Sequence, residues 1–370
     1  MSLPLQNYFL NINGFASDYD RFIQNFSHAR QSQTFDYQFD IESKAIRIIK
    51  QIASVIIVPI GLYQPAHGLV GRKIIPASGF SSAEREEWLR QQISDSQGLW
   101  LYKRFTVQVD GMQVDGMVLG TEETLQNGKW VLRSNGNFQC YEQESREFKQ
   151  ILTQMGANGI VFNYPGVGDS DGMFPTRQEM VKAYRAMLAF LEDKVNGIGA
   201  QEIIGYGVSI GGGAQADALR VHEFNRELPS VWIKNKTFSD LSSVISSLYN
   251  RIFGFVIRVL GWNINIAESS KELEMPEIVI QTIEGKTQVL TMNDNPIIND
   301  GMIDVQVSLA QTLLQDEECP KNQKVFIGVS GNHDTPLSNE DITFLSGHVE
   351  SCLDPQTAIP VPPKRSSTPN

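Results

Sequence analysis

One serine, one histidine and a small set of aspartates have the types and spacing for nucleophilic catalysis. The serine is Ser209, in Gly207-Val208-Ser209-Ile210-Gly211. A serine hydroxyl is a poor nucleophile until a base takes its proton, and that base is usually a histidine oriented by a carboxylate. In a Gly-x-Ser-x-Gly stretch the glycines let a strand and a helix approach closely, so the serine can stand on a tight turn between them. The apolar run "EIIGYGV" precedes Ser209 and the small-residue run "IGGGAQADAL" follows it, which gives the strand–turn–helix context the pattern requires. Without that context, five residues of this kind also fit an ordinary glycine-rich bend.

Among the five histidines, position discriminates. His28 and His67 precede every strand of the regular pattern. His222 falls at the far end of the helix that Ser209 begins, about three turns away, and cannot reach back. His348 lies within a helical stretch, "NEDITFLSGHVESCL", and reads as a surface residue. His333, in "VSGNHDTPL", follows the last predicted strand, where a base is expected after the nucleophile and the acid. The acid should leave a late strand. Asp294, after "TQVLTM", is the first choice; Asp300 and Asp304 are fallbacks, and Asp240, one strand earlier, is the stronger rival. Each of these aspartates also fits a loop or helix N-cap. An oxyanion needs two N–H donors. The pattern places them at Ile210, after the nucleophile, and at Asn137, in the loop "SNGNFQCYE". A plain strand-to-helix turn is the alternative for that loop. "NYPGVGDSDG" (163–172) has glycines and acids but neither P-loop spacing nor a lysine, and reads as a structural loop near the site. No cofactor and no metal site are expected.

Elements to hold these residues are legible in the periodicity. "LWLYKRFTVQVDGMQVDGMVLG" alternates and breaks at Asp110-Gly111, a hairpin signal. A βα rhythm follows: strands at 129–134, 159–164, 202–208, 231–238 and 324–330, with helices between them. Of "IVIQT" and "TQVLTM", the second (287–292) is taken as the sheet strand. Thr176-x-x-Glu179 opens a helix as a capping box, and Gly156 stops another. Strands alternating with helices predict an α/β fold, a mainly parallel sheet with helices on both faces. Residues 1–98 read as a helical N-terminal extension, including a buried helix at "ESKAIRIIKQIASVII" and a capped one at "SSAEREEWLRQQI". Residues 99–354 form the main domain, 240–275 within it a helical cap insertion, and 355–370 a Pro/Ser-rich disordered tail.

Bulk properties narrow the function. The net charge of −11 argues against nucleic acid as the partner. Three scattered cysteines imply neither a disulfide framework nor a zinc site. The apolar run Ile52–Tyr63 is shorter than the roughly 20 residues a membrane span needs. Core packing is the simpler reading for it. Shaping an acyl pocket, or peripheral membrane contact, there or at the apolar stretch Ile252–Trp262, is the other reading. The start of the chain lacks a basic segment followed by an apolar one, so no Sec signal is expected. The expected location is the cytoplasm of the producing cell.

Taken together, "SNGN", "VFNYPGVGDSDG", "GYGVSIGG", "TMNDNP" and "GNHDTP" resemble the α/β-hydrolase superfamily, in its order, over about residues 105–352. Pro165 stands where an arginine is common, and Ser134-Asn135-Gly136 where many members have His-Gly. The resemblance implies a serine hydrolase cleaving a small-molecule or lipid carboxylic ester through an acyl-enzyme. Thioesterase, peptidase or acyltransferase chemistry at the same serine, or a non-catalytic binding protein on the same fold, are the alternatives. A narrower likeness rests on "FSDLSSV", the apolar helix after it and "LGWNI". These are similar to the lipase-like proteins of intracellular bacteria such as Legionella and Chlamydia. That likeness implies export into a host cell by a non-Sec route. Oligomeric state is open.

Overall fold

A computed structural model describes residues 9–29, 34–39, 68–143, 146–172, 175–292 and 296–354. The helix expected over "ESKAIRIIKQIASVII", the apolar run 52–63, Asp294 and the tail 355–370 lie outside these residues.

The alternating stretch folds as an antiparallel hairpin, β2 (Leu101–Val109) and β3 (Met112–Gly120). Its turn uses Asp110 and Gly111, both at positive φ (50° and 79°), the twist that two-residue hairpins prefer. The βα rhythm then supplies β4 (Lys129–Ser134), β5 (Asn158–Phe162), β6 (Glu202–Val208), β7 (Ser230–Asn235), β8 (Glu277–Thr282) and β10 (Lys324–Val329). With β1 (Thr34–Tyr37) and β9 (Gln288–Val289), the described strands form one ten-stranded sheet in the order β1-β2-β3-β5-β4-β6-β7-β8-β10-β9. From β5 through β10 the pairing is parallel. The described part of the N-terminal region is mainly helical and adds one short strand, β1 (Thr34–Tyr37), which pairs with β2.

The two-residue period of each strand builds two apolar layers. Trp130, Leu132 and Ile203 point to one face; Val131, Ile204 and Tyr206 point to the other. The first face is covered by α4 (Arg177–Glu192), α5 (Ile210–Val221) and α9 (Leu309–Gln315). The second is covered by α1 (Tyr19–Ala29), α2 (Ser82–Ser94), α3 (Arg146–Met155) and α10 (Asn339–Leu353). Ser81 and Glu84 close a capping box on α2, as the serine and glutamate run predicts. Between β7 and β8 the cap insertion folds as three helices: α6 (Leu241–Leu248), α7 (Arg251–Val259) and α8 (Ile266–Glu272).

One strand differs from expectation. Residues 287–292 do not form a parallel sheet strand. Only Gln288–Val289 (β9) pair, antiparallel, at the edge of β10. The interior strand is β8, the "IVIQT" run, whose Ile278, Val279 and Ile280 are all buried. Burial on both faces selects a continuous apolar run; Gln288 and Val289 are exposed and belong at an edge.

Candidate active site

Ser209 sits between β6 and α5 with φ 51° and ψ −119°. That is a costly backbone for a residue with a Cβ, and it is held by close approach on both sides. A Cβ at Gly207 would lie 2.6 Å from the Cα of Gly212, and one at Gly211 would lie 2.3 Å from the Ser134 carbonyl oxygen. Only glycine fits either position. Strand β4 is thereby pressed against the start of α5, and Ser134 Oγ donates to the Gly211 carbonyl at 2.9 Å.

The loop after β10 brings His333 to the serine. His333 Nε2 lies 3.2 Å from Ser209 Oγ, and Nδ1 lies 2.9 Å from Asp300 Oδ2. A carboxylate only accepts, so the imidazole proton resides on Nδ1 and Nε2 is left to accept from the serine hydroxyl. The His333 N–H also donates to the Asp300 carbonyl at 2.8 Å. Asp300 Oδ1 accepts from the N–H groups of Met302 (3.0 Å) and Ile303 (2.7 Å). Burial pushes the Asp300 carboxyl up. The hydrogen bond from His333, its positive charge when protonated and the two backbone donors outweigh it and hold the group below the ordinary carboxylate value.

The carboxylate on His333 is therefore that of Asp300, a fallback in the sequence reading, while the first choice, Asp294, is outside the described residues. Beyond Thr282 the chain makes an excursion and returns. Ile283 bridges Ile297, Glu284 N–H donates to the Pro296 carbonyl at 3.0 Å, and Ile298 N–H donates to Thr282 at 3.2 Å. In space Asp300 leaves the end of β8; in sequence the excursion separates them. Asp240, the rival, is the N-cap of α6. Its Oδ1 accepts from Ser243 N–H (2.9 Å) and the Ser242 hydroxyl (2.6 Å). Asp304 caps a short 3-10 turn through Gln306 N–H at 3.0 Å. His222 pairs with Glu192 at 3.1 Å at the far end of α5, and His348 stacks edge-on with Phe344 on α10.

The loop after β4 lies beside the Ser209 turn. Asn135 Nδ2 donates to the Phe162 carbonyl (3.2 Å), and the Tyr164 hydroxyl donates to the Asn135 carbonyl (3.1 Å). Gly136 N–H is taken by Gln139 Oε1 at 3.0 Å. The Asn137 N–H has no partner among the described residues, and Ile210 N–H is a first-turn donor that its own helix cannot satisfy. Ala77 of the N-terminal region donates to the Asn137 carbonyl at 3.3 Å. The loop 163–172 is held by its acids: Asp169 pairs with Arg104 (2.6 Å) and Arg85 (3.3 Å), and Asp171 accepts from Gln113 N–H (2.8 Å).

Sequence reading missed Lys236. It follows β7 at φ 48° and is buried. Its Nζ donates to the carbonyls of Asn332 (2.7 Å) and Thr335 (2.6 Å), on both sides of His333. Burial lowers its pKa, against the pull of Glu147, Asp300, Asp341 and Asp334. A lysine in a strand-like run carries no signal of such a role.

A profile of the Chlamydia CHLPS protein family (DUF818) matches residues 15–354, nearly the whole length. The chain belongs to the Chlamydia CHLPS protein family. No curated protein matches this CHLPS-family chain. Its fold is that of solved α/β-hydrolases. An alpha-beta hydrolase from Vibrio vulnificus superposes with TM-score 0.53 at 16% identity, covering 78% of this chain and 92% of that one. An esterase from Pyrococcus furiosus superposes with TM-score 0.51 at 13% identity, covering 68% and 92%. This CHLPS-family chain thus has the α/β-hydrolase fold, with three helices inserted between β7 and β8 and an N-terminal strand added to the sheet.

Proposed function

We propose that this protein is a serine hydrolase that cleaves a carboxylic ester through an acyl-enzyme. The observation that carries the reading is His333, set between Ser209 Oγ and the buried Asp300 with its proton directed to the acid. Ser209 Oγ attacks the ester carbonyl carbon as its proton passes to His333 Nε2. The negative charge on the carbonyl oxygen is met by the N–H groups of Ile210 and Asn137. Asp300 stabilises the imidazolium without taking its proton. Collapse breaks the C–O bond, and His333 returns the proton to the departing alkoxide. Water, activated by the same histidine, then releases the acid and restores Ser209. The Pyrococcus furiosus neighbour is named an esterase, which agrees with this choice of substrate class.

The test is a panel of p-nitrophenyl esters of increasing chain length. Wild type should hydrolyse at least one, and Ser209→Ala should lose at least about 10^3-fold in kcat. A wild type inactive on every member, or a Ser209→Ala variant as fast as wild type, overturns the proposal.

A further inference from the structure

The helices between β7 and β8 carry an apolar face that the described residues leave bare. On α7 the buried positions are Gly254 and Ile257. A Cβ at Gly254 would lie 1.8 Å from Ser246 Oγ, so α6 and α7 are packed backbone to backbone along that side. The opposite side holds Ile252 (74% exposed), Phe253 (55%), Phe255 (66%), Val256 (38%) and Val259 (60%). At 3.6 residues per turn these five span an arc of about 160°. Tyr249, 71% exposed at the hairpin tip, extends the face. Single exposed apolar residues are ordinary; a contiguous set on one helix marks a contact surface.

Charge identifies the partner. Residues 241–267 contain Arg251 and Arg258 and no aspartate or glutamate, within a chain of net charge −11. Both arginines are exposed, side by side along one border of the apolar arc. At physiological ionic strength the acidic remainder of the chain is screened beyond about 8 Å. An apolar arc with a cationic border suits a helix lying in the headgroup region of a bilayer. No helix among the described residues is long and apolar enough to cross a membrane.

We propose that the α6–α7 hairpin docks this protein on an anionic lipid bilayer. The hairpin is held in place for that contact. Asn250 caps α7 by accepting from Ile252 (3.0 Å) and Phe253 (3.1 Å) N–H, and Trp262 is fully buried just beyond its end. It leaves the sheet at the end of β7 that faces the candidate site: Thr237 Oγ1, between β7 and α6, donates to the Ser209 carbonyl at 2.7 Å. Docking would therefore bring Ser209 near the bilayer surface. Delivery of a lipid ester to it rests on the proposed function; the docking itself does not.

Full-length protein is sedimented with phosphatidylcholine vesicles, with and without phosphatidylglycerol at about one third of the lipid. Wild type and Ser209→Ala should bind the anionic vesicles equally. Phe253→Asp/Phe255→Asp should cut the bound fraction at least about tenfold, with an unchanged circular dichroism spectrum. Arg251→Glu should weaken binding to the anionic vesicles selectively. If wild type binds neither vesicle, or the double variant binds as wild type does, the proposal is overturned. A wild-type dimer that the double variant dissociates, with no vesicle binding, would make a second copy the occupant. Vesicle binding by a wild type that hydrolyses no ester would leave docking standing and remove the proposed function.

Discussion

Strands β8 and β10 carry ionisable groups at both ends, and the two ends are built differently. At their N-terminal ends Glu277 and Lys324 meet Lys234 from β7, all with side chains fully buried. Lys234 pairs with one carboxylate oxygen of Glu277, and Lys324 lies 2.9 Å from the other. Ser270 Oγ accepts from Lys234 (2.7 Å) and donates to Glu277 (3.0 Å). Burial alone would push the Glu277 carboxyl up; the two lysines reverse this and bring it down to about 2. At the C-terminal ends Asp300 and His333 meet Ser209. There the chain is compensated on one side only: the carboxylate is buried, while the imidazole and serine are partly open to solvent. The left-handed backbones of Ser209 and Lys236 lie at the same edge. A closed cluster holds three strands in register, whereas a cluster with one end open has a group left to react.

That contrast makes distinct demands. Asp300→Asn should reduce kcat on a p-nitrophenyl ester by about 10^3- to 10^4-fold, because the amide cannot hold the Nδ1–H tautomer. Asp240→Asn and Asp304→Asn should stay within about threefold, since asparagine caps helices nearly as well. If Asp240→Asn proves the damaging change, the acid is misplaced.

At the closed end, Glu277→Gln should leave two buried lysines short of a partner and cost about 3–5 kcal/mol of stability. Denaturant unfolding reads this, while kcat per folded molecule should hold within about twofold. The pH dependence follows the same carboxylate. Its folded pKa is depressed, so its contribution is complete above the ordinary glutamate value of about 4.3 and is lost as pH falls toward about 2. Urea unfolding at stepped pH should show a loss of stability over that window that Glu277→Gln lacks. A variant equally stable at neutral pH would mean that the cluster holds nothing.

The smallest loss is expected at the open end, beside the site. Lys236→Met removes the donor to both carbonyls flanking His333, and should lower kcat about tenfold with KM little changed. An equal fall in the amount of folded protein with kcat intact would make Lys236 a structural residue only.

Legibility followed locality. Ser209 was readable because strand, glycine-flanked serine and helix are contiguous. His333 was readable because, apart from a helical His348, no other histidine follows the last strand. The acid was harder: hydrogen bonds between 282–284 and 296–298 close an excursion that sequence shows only as distance. Apolar residues at 287–292 imitate a strand, which pulled the expected acid to Asp294. Lys236 was invisible, since neither its positive φ nor its reach to the His333 loop leaves a trace in residue type. The four residues of β1 are too few for alternation to register.

The nucleophile is tested most directly by a fluorophosphonate, followed by intact mass and peptide mapping. The proposed triad predicts one covalent adduct per chain, on Ser209, absent in Ser209→Ala and strongly slowed in Asp300→Asn. No adduct on folded wild type, or an adduct on another residue that persists in Ser209→Ala, would contradict it.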